Sequence, residues 1–157
     1  QLTKLGHQVK VLMTPAATAF ITPLTLQSLS KQSVLVDLMA EETPDQIQHI
    51  DLGKQADLFL VAPASANTIA KLAHGFADNI VTSTALALPT NVKKILAPAM
   101  NTKMLEHPAT QNNIETLKSY GYQIIPPREA LLACGDQGAG ALATIEIILT
   151  TIQESLT

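Results

Sequence analysis

Short apolar runs alternate with amphipathic stretches along most of this chain, and that alternation predicts strands joined by helices. Val9-Lys10-Val11-Leu12-Met13 reads as a short strand, and Ala16 to about Leu29 as helical, with Pro23 restarting the pattern. Val34-Leu35-Val36 is a weaker strand candidate. Thr43-Pro44-Asp45-Gln46 carries helix-start signals: a capping threonine, proline at the first position and glutamine three residues after the cap. The helix it opens carries Ile47, His49, Ile50 and Leu52. Asp57-Leu58-Phe59-Leu60-Val61-Ala62 is the clearest buried strand and runs into Ser65, a good cap for a helix bearing Ile69, Leu72 and Ala73. Asp78 is expected to cap a further helix reaching Leu88, followed by a strand at Ile95-Leu96-Ala97. His107-Pro108 opens a helix with Ile114 and Leu117 that Gly121 ends. Tyr122-Gln123-Ile124-Ile125 reads as the last strand, Pro126-Pro127 as the start of a loop, and Thr144 as the start of a terminal helix.

Strands alternating with helices imply an α/β class: a three-layer, doubly wound, Rossmann-like domain around a parallel sheet. No internal repeat or linker interrupts residues 1–157, so a single domain is expected. Gln1-Leu2-Thr3-Lys4-Leu5-Gly6 reads as the last turn of a helix with Gly6 as its stop, and Gln1 is not an initiator. A first strand and its loop are therefore expected upstream.

Composition narrows the function. The chain is 46% hydrophobic, 15% charged and 3% aromatic, so aliphatic side chains do the packing and much of the surface is expected to be covered by other subunits. A net charge of -3 gives no electrostatic footprint for nucleic acid. No apolar run approaches the roughly 20 residues that span a bilayer, and no signal peptide is visible. One cysteine excludes an internal disulfide and a cysteine-based zinc cage, and a reducing, cytoplasmic setting is expected.

Three loop motifs carry the candidate chemistry. Ser65, Ala66, Asn67 and Thr68 open a helix at a strand end, where free backbone N–H groups and polar side chains suit a phosphate or a polar ring; ordinary capping by Ser65 accounts for the same residues. Asn101, in Pro98-Ala99-Met100-Asn101-Thr102-Lys103-Met104, can donate to a carboxylate without adding charge, or can cap a short helix. Met104 fits either core filling or a ligand contact. Cys134 lies in Ala133-Cys134-Gly135-Asp136-Gln137-Gly138-Ala139-Gly140, whose glycines permit the movement a lid needs. Among the histidines, His7 and His107 sit at helix ends and His74 precedes Gly75, whereas His49 lies on an amphipathic helix and can reach a cleft edge as a proton carrier. A glycine-rich dinucleotide fingerprint is absent.

Taken together, His49-Ile50-Asp51-Leu52, Ala62 to Asn79, Ala97 to Gln111 and Leu132 to Ala143 resemble the flavin-dependent cysteine decarboxylase family, most closely its branch acting on 4'-phosphopantothenoylcysteine. The resemblance implies a Rossmann-like flavoprotein in which FMN is held by Ser65, Ala66, Asn67 and Thr68, with Thr14 and Ala99 nearby. It implies His49 as base, Asn101 as the grip on the substrate carboxylate and Cys134 as proton donor. Met104, Ala133, Gly135 and Asp136 would contact substrate, residues 127–143 forming a mobile clamp. The implied reaction is decarboxylation to 4'-phosphopantetheine in coenzyme A biosynthesis, through thiol oxidation, CO2 loss and enethiolate reduction. The resemblance further implies a homotrimer or a dodecamer built of trimers. Leu105 stands where the family has tryptophan, and Ala141 where bacterial members commonly have arginine. The alternatives are a peptidyl-cysteine decarboxylase of lantibiotic maturation, which lacks the clamp cysteine, a flavin prenyltransferase, which does not need the Asn101 or Cys134 motifs, and a non-catalytic flavoprotein regulatory subunit.

Overall fold

Side-chain caps set most of the element boundaries. In this computed structural model, which describes residues 1–40, 47–133 and 135–157, the chain begins with a 3-10 turn at Leu2–Leu5 that Gly6 ends. Strand β1 (Val11–Leu12), a 3-10 helix at Pro15–Ala19, helix α1 (Pro23–Ser30), β2 (Val34–Leu35) and α2 (Gln48–Gln55) follow. Next come β3 (Leu58–Ala64), α3 (Ala66–Ala73), α4 (Ile80–Leu86), β4 (Lys93–Pro98), α5 (Thr102–Glu106) and α6 (Pro108–Ser119). β5 (Tyr122–Ile124), β6 (Arg128–Leu131), β7 (Gln137–Ala141) and α7 (Ile145–Leu156) complete the chain. Oxygens of Thr22, Ser65, Asn101 and Thr144 accept first-turn backbone N–H groups of α1, α3, α5 and α7, and His107 Nδ1 does so for α6.

The cap of α4 differs from expectation. Asn79, not Asp78, accepts from Val81 N and Thr82 N at 3.1 Å each, and Asn79 N in turn donates to Thr82 Oγ1 at 3.3 Å. Asp78 supports that cap from outside, accepting from Asn79 Nδ2 at 2.9 Å. The helix-start signals at Thr43 to Gln46 lie outside the described residues.

Two compact units result. The first comprises Gln1–Gln55 and Phe76–Leu88: β1 and β2 pair in parallel, α1 packs on both, and α2 packs on α4. The second comprises Ala56–Gly75 and Pro89–Thr157. Its β3, β4 and β5 form a parallel sheet in that order, with Leu60 opposite Ile95 and Leu96 opposite Ile124. Near-continuous burial along β4 follows, with Ile95, Leu96 and Ala97 all at 1% exposure or less. Ile69 of α3 and Leu117 of α6 are fully buried as these helices pack together, α6 also lies on β5, and α7 packs on β4 through its buried Ile148 and Ile152 face. Parallel strands joined through helices are the α/β arrangement expected.

One prediction of the sequence is corrected. The loop expected from Pro126-Pro127 onward contains two strands, β6 and β7, which pair as an antiparallel hairpin. Its strands are short and rich in glycine and alanine, so they carry little of the β-branched alternation that marks a strand.

Tyr122, buried in β5 with Lys94 Nζ 5.4 Å from its ring centre, has its phenol pushed up to about 12 by burial. The unfolded phenol ionises near its ordinary pKa of 10.0, so this group's contribution to folding is complete below pH 10 and is lost as pH rises through 12. Alkaline titration of tyrosinate absorbance should therefore show a late transition that Tyr122→Phe removes. A single early transition in the folded wild type would contradict this burial.

Candidate functional site

The ends of β3 and β4 place two loops side by side. Ala99 N donates to Ala64 O at 3.0 Å, tying the start of α3 to the Pro98–Asn101 segment at the C-terminal edge of neighbouring parallel strands. Open α/β sheets take ligands at such edges. Ser65 Oγ accepts from Thr68 N at 3.3 Å and donates to Thr68 Oγ1 at the same distance, and Thr68 is buried. The first intrahelical bond runs from Ile69 N to Ser65 O, so the N–H groups of Ala66 and Asn67 precede it and need outside acceptors. Asn67 is exposed, and Ala66 and Ala99 add only methyl groups, so donors are presented without steric cover.

Asn101 caps α5: its Oδ1 accepts from Lys103 N at 2.9 Å. That bond fixes the carboxamide and assigns its oxygen to the helix. Leu105, where an aromatic side chain is expected from the resemblance, is buried within α5, and Gln111 Nε2 donates to its carbonyl at 2.6 Å.

The hairpin docks on this segment. Its turn is closed by Leu132 N donating to Asp136 O at 2.8 Å and Gly135 N to Leu132 O at 2.9 Å. Met100 N donates to Gly140 O at 2.9 Å, a backbone bond from the Asn101 loop to β7. Gly140 has φ 148°, and a Cβ there would collide with the Met100 carbonyl; a Cβ on Gly138 would lie 2.6 Å from Thr102 Oγ1. Position 140 thus requires glycine for β7 to lie against the loop, and a side chain at 138 would force Thr102 to move. Between them a cleft of about 420 Å³ is bounded by Met100 and Asn101 on one side and by Leu131, Leu132, Ala133, Gly140 and Ala141 on the other.

The second unit therefore brings together Ser65, Ala66, Asn67, Thr68 and Ala99 through the strand-end bond, and Asn101 with Ala133 through the cleft. Gly135 and Asp136 lie in the hairpin turn, and Met104 projects half-exposed from α5; none of the three is among the described lining residues. Cys134 lies outside the described residues. Thr14 and His49 belong to the first unit. Thr14 Oγ1 accepts from Ala17 N at 3.3 Å as the cap of the 3-10 helix. His49 is half-buried on α2 with a buried Nδ1 that has no protein partner, an arrangement that calls for a functional explanation. Among the described residues, no cluster of His, Cys, Asp or Glu could hold a metal ion, and no helix is long and apolar enough to cross a membrane.

Comparison with known proteins places the chain in a family and a fold. The Flavoprotein family model matches residues 1–157, and the chain belongs to that family. It is 64% identical over 156 residues to a probable phosphopantothenoylcysteine decarboxylase of Streptococcus mutans, covering 99% of this chain and 87% of that protein. It is 47% identical over 149 residues to the coenzyme A biosynthesis bifunctional protein CoaBC of Bacillus subtilis, covering 95% of this chain but only 36% of that longer protein. A solved PPC decarboxylase mutant complexed with pantothenoylaminoethenethiol superposes with a TM-score of 0.85 at 32% identity, covering 98% of this chain and 85% of the other. The FMN-dependent cysteine decarboxylase SpaF does so at 0.83 and 30% identity, covering 99% and 85%. The fold is therefore the Rossmann-like flavoprotein fold.

The close approach of Gly140 gives a direct test. Gly140→Ala should undock the hairpin, because the added methyl meets the rigid Met100 carbonyl. Limited proteolysis should then cut between Arg128 and Ala141 markedly faster than in wild type while the far-ultraviolet spectrum is kept. Unchanged cleavage would contradict the docking described.

Proposed function

We propose that this protein is an FMN-dependent decarboxylase converting 4'-phosphopantothenoylcysteine to 4'-phosphopantetheine in coenzyme A biosynthesis. The observation that carries this reading is the 64% identity, along 99% of the chain, to the probable decarboxylase of Streptococcus mutans. FMN fits the start of α3, where exposed N–H donors stand beside small side chains; Ser65, Ala66, Asn67 and Thr68 would hold it, with Ala99 alongside and Thr14 contributing. When bound, FMN supplies two-electron oxidation and reduction, which none of the chain's side chains can provide.

The chain's own residues bind, orient and move protons. Asn101 grips the substrate carboxylate through Nδ2, and its neutrality matters because a carboxylate at that position would repel the substrate. His49 acts as the base before CO2 leaves, its unpartnered Nδ1 lying on the buried side of the ring. A thioaldehyde beside the carboxylate-bearing carbon provides the electron sink for CO2 loss. Cys134 is assigned the protonation of the resulting enethiolate. Residues 127–143 act as a substrate clamp on a single domain spanning 1–157, with Met104, Ala133, Gly135 and Asp136 completing the substrate contacts.

The enzyme is read as a cytoplasmic homotrimer or dodecamer of trimers acting on this small-molecule substrate. Apolar side chains support the association: Phe20 is 92% exposed, Met39 81% and Leu24 68% in the single chain.

Two substitutions test the reading. Asn101→Asp should lower CO2 release from 4'-phosphopantothenoylcysteine by at least about a hundredfold, as loss of a key donor does, while FMN stays bound. Asn67→Ala should yield folded but colourless protein. Wild-type turnover by the first variant, or stoichiometric flavin in the second, would contradict the assigned roles. Product mass in the wild-type assay separates full conversion to 4'-phosphopantetheine from release of an enethiol.

A further inference from the structure

Arg128 of β6 stands directly opposite Ala141 of β7, and Ala141 lines the cleft beside Asn101. Opposed residues of an antiparallel pair project from the same face of the ladder, with Cβ atoms roughly 5 Å apart. The glycines of β7 identify that face. A Cβ on Gly138 would meet Thr102 and one on Gly140 would meet the Met100 carbonyl, so this side of the hairpin is turned to the Asn101 loop. The register shift between Arg128 and Glu129 sets Gly140 and Ala141 together against Arg128, which keeps Arg128 on that same side.

The guanidinium is both anchored and available. Arg128 Nε donates to Leu142 O at 3.0 Å, which pins the stem across the hairpin and leaves the two terminal amino groups to bond elsewhere. No carboxylate of the described residues pairs with it. Glu129, its chain neighbour, is paired with Ala139 and projects from the opposite face. Across the ladder, Ala141 carries only a methyl group, so the space a longer side chain would fill is open to Arg128 or to a ligand.

We propose that Arg128 is a specificity-determining residue that binds the phosphate monoester of the substrate. The inference rests on the decarboxylase reading above and deepens it. A substrate with a carboxylate at one end and a phosphate at the other is held by a neutral amide at the first and a cation at the second. The planar fork of the guanidinium matches two phosphate oxygens.

The test compares two substrates on the flavin-loaded enzyme: 4'-phosphopantothenoylcysteine and pantothenoylcysteine, which lacks the phosphate. Arg128→Ala should raise KM for the phosphorylated substrate about tenfold, as loss of one charge-assisted contact does, with kcat unchanged. KM for the unphosphorylated substrate should stay at its wild-type value, and Arg128→Lys should restore part of the preference. Equal losses on both substrates would show that the Nε bond to Leu142 merely supports the hairpin and would overturn the assignment. No effect on either substrate would overturn it as well. Failure of the wild type to decarboxylate either compound would instead defeat the decarboxylase reading, and this inference with it.

Discussion

One backbone hydrogen bond, from Met100 N to Gly140 O at 2.9 Å, holds the candidate substrate cleft together. It joins segments 40 residues apart, and side chains on the face of β7 turned to the loop would crowd it. Glycine at 138 and 140 removes those side chains. Given that contact, Asn101 on one wall and Leu131 to Ala133 on the other enclose a single space. Without it, β6 and β7 are an isolated two-stranded ribbon, which is marginal in water.

The rest of the site depends on the parallel sheet beneath. β3 and β4 end next to each other because their buried residues stay in register from Leu58 opposite Lys93 to Val61 opposite Leu96. The register shift beyond Val61 lets Ala64 accept from Ala99, so that the α3 start and the Asn101 loop leave the sheet together. Capping then decides orientation. Ser65 and Asn101 each satisfy a first-turn N–H of their own helix, and the N–H groups of Ala66 and Asn67 that precede the first intrahelical bond of α3 set the polarity there. Every one of these features favours an anionic ligand, in keeping with a family of flavoproteins.

Elements with strong local signals were legible in the sequence. Ser65, His107 and Thr144 cap the helices predicted from them, and the apolar runs of β3, β4 and β5 pair in parallel. Asp78 and Asn79 are both good capping residues, and local chemistry alone could not choose; burial of Asn79 in the α4 start decides for it. The hairpin was not legible as strands, because its pairing comes from docking against α5 and not from side-chain pattern. Its glycines read as freedom to move, whereas Gly138 and Gly140 permit close approach. Arg128 carried no motif at all, and only the cross-strand register sets it opposite Ala141, a residue of the cleft wall.

Amide hydrogen exchange at Met100 tests the docking most directly. This N–H sits in a loop on the polar edge of the sheet, where an unbonded amide exchanges fast. The expected result is exchange as slow as the core amides of β4, with the Asn67 amide exchanging rapidly as an internal reference. Rapid exchange of Met100 alongside Asn67 would show that the hairpin does not rest on the Asn101 loop, and the cleft as described would not exist.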